Sequence, residues 1–253
     1  MSINDDKLIE PINKLLLPIA SAAGQTLQDI WELIFGGLSV YVEKKRIARQ
    51  NSIDSFKKSL IKNITSIPED NLQEPPLSII GPALEASKYY FEEPELREMF
   101  AKLIASSMDK EKISKVHPSF TEIIKQLSPL DAQNLTFFHP KTLLPIAEYK
   151  LHLSDNKYLT LQKDAFTTNT SQTDIPMQAY SLSSLSRLGL IEKRYDIVLF
   201  PKTIYNKFFQ IDFYHNLVKN FCNTPEKKEQ IQIIKGVVSL TSLGENFKAI
   251  CQP

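Results

Sequence analysis

The chain has 253 residues, 42% of them hydrophobic and 23% charged, with Lys+Arg 30 against Asp+Glu 29 for a net charge of +1. This composition supports a buried core, does not require a disordered chain, and advertises neither a nucleic-acid polycation nor an acidic tail. Glycine is scarce, 7 residues against 15 prolines, under half its usual share of about 7%, so glycine-rich phosphate cradles are nearly excluded.

The first element, within residues 8–42, is an amphipathic helix. Leu16, Ile19, Ala23, Leu27, Ile30 and Ile34 recur every three or four residues and form one face. Asp29 and Glu32 interrupt the apolar run of LLLPIASAAGQTLQDIWELIFGGLSVYV, which therefore falls short of the roughly 18–20 residues that span a bilayer. The face is expected to pack on the protein or on a second copy, with a membrane surface as the alternative. Gly36-Gly37 marks a bend.

A basic helix follows over residues 42–66. Ile47, Phe56, Leu60, Ile61 and Ile64 make its apolar stripe, and Lys44, Lys45, Arg46, Arg49, Lys57, Lys58 and Lys62 its basic face. Such a face is ordinarily solvated; anionic lipid or nucleic acid is the functional alternative. SIPEDNLQEPP, residues 66–76, is a linker.

Residues 77–115 are helical, with proline as punctuation. Pro82, Pro94 and Pro118 are each expected at a helix start, where a missing N–H costs nothing. Ser128-Pro129-Leu130-Asp131 opens a further helix. After His139-Pro140 the character changes. Residues 149–153 and 158–162 alternate and read as a hairpin, residues 177–188 as a helix capped by Gly189, and residues 190–194 and 197–200 as strand. Residues 204–221, rich in Tyr and Phe, read as a core helix, residues 231–240 as a strand, and LTSLGENF as the start of the last helix.

The order of this last third resembles a winged-helix module. In that module SLSRLGLIEKR closes the helix-turn-helix and LTSLGENF leaves the wing, here with a helix-bearing insertion in the wing. Reading DNA requires basic and amide side chains on the recognition helix. The candidate, Gln178 to Leu188, offers Gln178, several serines and Arg187, with Lys193 and Arg194 beyond it. Packing or protein contact is the better reading.

GPALEAS, ELREMFAKLIASSMD and HPSFTEIIKQLSP occur in that order between residues 81 and 129. On these segments, the basic helix before them and the SLSRLGLIE ending, the chain resembles the Abi-alpha (abortive-infection alpha) family of bacterial proteins. The resemblance implies defence against bacteriophage through death or arrest of the infected cell. It implies no reaction, cofactor or catalytic residue.

The residues themselves are equally silent on chemistry. No P-loop, dinucleotide fingerprint or G-x-S-x-G occurs. His117, His139, His152 and His215 lack metal-ligand spacing, and His117 and His139, each before proline, are expected at helix entries. Glu92, Glu93, Glu95 and Glu98 suit a helix N-terminus, where Arg97 is placed to pair with one of them. Cys222 and Cys251 are expected to be small buried hydrophobes.

The sequence thus predicts a mainly α (α+β) protein with a helical region over 1–115 and a winged-helix-like α+β region over 116–253. No enzyme activity, catalytic residue, metal or cofactor is expected. A protein partner or self-association is expected, with a membrane surface and nucleic acid as alternatives and an unrecognised nuclease as a third reading. The expected location is the cytoplasm or the periphery of the inner membrane.

Overall fold

The computed structural model describes residues 46–153, 157–221 and 230–252, and the chain divides into two compact units. It is mixed α+β with the helices first. One unit takes residues up to Pro129 together with Phe247–Pro253; the other is Leu130–Asn246.

The first unit is helical. Helix α1 (Arg46–Thr65) buries Phe56, Leu60 and Ile64, four residues apart on one face. Helix α2 (Leu77–Ser87) starts directly after Pro76, whose carbonyl accepts from Ile79 N and Ile80 N, both at 3.0 Å. Pro82 therefore lies inside α2 and does not begin it. Burial of Ile79 and Ile80 at 7% and 0% exposure extends the helix by a turn that the proline alone argued against.

Helix α3 (Pro94–Ser107) has Pro94 in its first turn, as expected, and nine buried residues. A helix buried on nearly every side is the centre of its unit, and α3 packs against α1, α2 and α4 (Ser119–Gln126). The ring of Phe247 meets Phe120 edge-on at 5.3 Å, and Ser106 Oγ donates to the Ile250 carbonyl at 3.0 Å, so residues 247–252 complete this core.

The second unit runs α5 (Pro129–Thr136, its first residue in the other unit), β1 (Leu144–His152), β2 (Tyr158–Phe166), α6 (Ile175–Arg187), β3 (Ile191–Arg194), α7 (Asp212–Phe221), β4 (Ile231–Leu240) and the start of α8 (Ser242–Cys251), whose residues from Phe247 onward belong to the other unit. A 3-10 helix, Lys202–Phe209, precedes α7. The strands form an antiparallel sheet in the order β2-β1-β4-β3. A winged-helix module has two helices between its first strand and its wing; here one helix, α6, lies between the β1–β2 hairpin and β3, and β2 extends the sheet at its edge.

The insertion between β3 and β4 covers one sheet face. Tyr205, Phe208 and Tyr214 pack there against Ala147, Tyr149, Leu151 and Ile231. Tyr149 OH donates to the Phe208 carbonyl at 2.7 Å and Tyr205 OH to the Gly236 carbonyl at 2.9 Å, so both buried phenols are satisfied. The aromatic stretch is a 3-10 helix followed by α7, not one helix. Residues 197–200 are not strand: β3 pairing with β4 ends at Arg194↔Val237, and Val198 and Leu199 pack against the insertion core instead.

Candidate functional site

The two phrases that suggested a winged helix meet in space. Helix α6 ends with Gly189 at φ 73, where Gly189 N donates to the Ser186 carbonyl and Leu190 N to the Leu185 carbonyl, each at 3.0 Å. These paired bonds are the glycine-dependent helix stop. Thr241 Oγ1 then donates to the Gly189 carbonyl at 2.5 Å and accepts Gly244 N at 2.9 Å, capping α8. A Cβ on Gly244 would run into the Leu190 carbonyl, so this close approach requires glycine.

Helix α6 begins at Asp174, whose Oδ1 accepts Met177 N at 3.0 Å. Its inner side is a closed polar network. Asn134 Nδ2 donates to Gln178 Oε1 at 2.8 Å and Ser181 Oγ at 2.9 Å, and Asn169 Nδ2 donates to Asn134 Oδ1 at 2.8 Å. Gln178 Nε2 reaches the Asn169 and Gln172 carbonyls at 3.2 and 3.0 Å, and Ser184 Oγ reaches Asp131 Oδ2 at 3.1 Å. Gln178 and Ser181 are thus spent on buried partners, at 0% and 1% exposure, and do not face a base edge.

The outer side of α6 presents Met177, Tyr180, Ser183 and Arg187, spaced three, three and four residues apart. Met177 is 47% and Tyr180 69% exposed. Leu243, 40% exposed, lies at the end of the helix, 3.5 Å from where a Cβ on Gly189 would be. The sequence reading passed over Met177 and Tyr180; a helical projection opposite Leu182 and Leu185 would have found them.

The remaining expected contacts distribute as follows. Leu16, Ile19, Ala23, Leu27, Ile30, Ile34, Lys44 and Lys45 lie outside the described residues, while Arg46 and Arg49 lie on α1. Lys193 is paired with Asp164 at 2.7 Å and Arg194 with Asp196 at 2.5 Å. The Asp196 carboxylate holds the Arg194 pKa above its ordinary value. Both basic residues of β3 therefore carry carboxylate partners, and α6 itself offers Arg187.

Among the described residues no group of three or more His, Cys, Asp or Glu side chains is placed to hold a metal ion. His117 is at a helix entry, its Nδ1 accepting Ser119 N at 3.1 Å. His139 instead opens a turn before β1, with Thr142 N donating to its carbonyl at 3.1 Å; Pro140 starts that turn and not a helix. Arg97 does not serve the acidic cluster as expected: its Nη1 donates to the Phe91 carbonyl at 3.0 Å, and Glu98 accepts from Ser59 Oγ on α1. Cys251 is fully buried, and burial pushes its thiol well above the usual range, which makes it unreactive. Cys222 lies outside the described residues.

The family model described as abortive infection alpha matches residues 48–251. No curated protein and no solved structure matches the chain. No helix of the described residues is long and apolar enough to cross a membrane.

Proposed function

The chain belongs to the abortive infection alpha family, which points to a role in phage defence by abortive infection, and we propose that it fills this role by binding a protein partner, without catalysing a reaction. The observation that carries this reading is the outer face of α6. On a DNA reader that face would be basic and amide-rich. Here the exposed positions are Met177, Tyr180, Ser183 and Arg187, and an aromatic, a methionine and an arginine are the residue types enriched at protein interfaces. In this reading the region from Leu16 to Ile34 supplies a second contact, either self-association or attachment to a membrane surface.

The test is phage challenge of cells carrying the wild type or the Met177→Ser/Tyr180→Ser variant, with circular dichroism as the control for folding. Loss of protection by a folded variant is expected; full protection would overturn the assignment of this face. Liposome flotation of the full chain against a version lacking residues 1–42 tests the second contact. Equal behaviour of the two removes the membrane branch. The nucleic-acid reading predicts salt-dependent retardation of random duplex DNA, lost on Arg187→Ala.

A further inference from the structure

We propose that the outer face of α6 pairs with the same face of a second copy of this chain, as an antiparallel helix pair about a twofold axis. This pairing rests on the reading of that face as a protein contact and names its occupant. Along the face the side chains run in an order that complements itself when the helix is reversed.

Tyr180 and Arg187 are seven residues apart, two turns of α6, and so lie on one side of it. Both are exposed, and the Ser183–Ser184 step lies midway between them. Ser183 is exposed, while Ser184 turns its Oγ to Asp131. Beyond Tyr180, toward the start of the helix, stands Met177, 47% exposed. Beyond Arg187, at the other end, Leu243 is 40% exposed beside Gly189. The face therefore reads methionine, tyrosine, two serines, arginine, leucine.

A twofold axis through the serine step, perpendicular to α6, sets each position opposite its counterpart from the other end. Tyr180 then meets Arg187 of the second copy, and Arg187 meets the Tyr180 of that copy, which gives two cation–π pairs in one isologous contact. Serine lies against serine, and side chains this small let the two helices approach closely. Met177 comes over Leu243 of the other copy at each end, which takes exposed apolar surface out of water. A parallel pair would instead set Arg187 on Arg187. Within one chain Tyr180 and Arg187 stand about 10 Å apart along the axis, so a second copy is what brings them together.

The experiment is sedimentation velocity on the full chain over a range of concentrations, with circular dichroism as the control for folding. The contact is one helix wide, so a reversible dimer that dissociates on dilution is expected. Tyr180→Arg sets guanidinium against guanidinium in both pairs and should raise the dimer dissociation constant at least about tenfold. Adding Arg187→Glu should restore the dimer, because opposite charges then face each other across the axis. A monomer at every concentration, or a dimer indifferent to Tyr180→Arg, would overturn the pairing. Failure of Arg187→Glu to restore the dimer would overturn the twofold register. The protein-contact reading of the face fails separately. A monomeric chain whose folded Met177→Ser/Tyr180→Ser variant loses phage protection would overturn the second copy and leave the face to a different protein. A dimer that responds as expected, while that variant protects fully, would uphold the pairing and overturn its part in defence.

Discussion

Tyr195 reaches from the end of β3 across the sheet to Asp164 on β2, donating its hydroxyl to Asp164 Oδ1 at 3.0 Å and accepting the Asp164 amide at 3.1 Å. Asp164 sits at a bulge where Lys163 and Asp164 together oppose Glu148, and it takes φ 54 there, a conformation rare outside glycine. Lys193 Nζ holds the other carboxylate oxygen at 2.7 Å. To make this reach, the Tyr195 ring lies over Gly236 on β4. One tyrosine thus ties both edges of the sheet together.

The first prediction tests that passage. A Cβ at Gly236 would lie 2.6 and 2.8 Å from ring carbons of Tyr195 and 2.9 Å from the Arg194 carbonyl. Gly236→Ala should destabilise by about 1–3 kcal/mol. Tyr195→Ala removes the ring but leaves the Arg194 carbonyl, so in that background the cost of Gly236→Ala should shrink without vanishing. Urea denaturation of the four proteins in the double-mutant cycle measures the coupling.

Alkali should unfold the protein through two phenols. The Tyr149 pKa is raised chiefly by burial and then by Tyr214, and the Tyr195 pKa chiefly by burial and then by the Asp164 charge. A folded pKa above the unfolded value of about 10 means that the folded state keeps protons the unfolded state loses. The stability these phenols contribute is therefore full below about pH 10 and falls as pH rises beyond it. Urea midpoints between pH 8 and 11.5 should show this fall, reduced in Tyr149→Phe/Tyr195→Phe. Absorbance at 295 nm should show both phenols ionising only as the chain unfolds.

Pro82 offers a gain in stability. It lies exposed inside α2 and cannot donate to the Ser78 carbonyl four residues back. Pro82→Ala should stabilise by about 1–3 kcal/mol. Gly81 has open space where a Cβ would be, yet it precedes proline, where a Cβ disfavours helical backbone. Gly81→Ala should accordingly destabilise the wild type and stabilise Pro82→Ala by about 0.5–1 kcal/mol. Thermal denaturation of the four combinations checks the change of sign.

What the sequence displayed and what it concealed divide along physical lines. Gly189 at a helix end and Pro94 at a helix start were legible because backbone conformation alone selects those residues. The hairpin and the helix-bearing insertion before β4 were legible from alternation and length. Residues 197–200 have strand composition, but pairing depends on a neighbour, and none of the described strands extends beside them. Gln178 and Ser181 read as surface donors because nothing local announces that Asn134 and Asn169 will be brought to them.

The helical unit draws its last core residues from Phe247, Ile250 and Cys251, with the whole of the other unit intervening in the chain. On the ribosome, where chains grow at about 5–20 residues per second, the unit begun first is the one finished last. Residues 130–246 can settle while the α1–α4 helices still wait for the segment that fills the space beside Phe120. Until that segment emerges, the nascent chain carries an open apolar cleft, and a stalled or truncated product would expose it to chaperones and proteases.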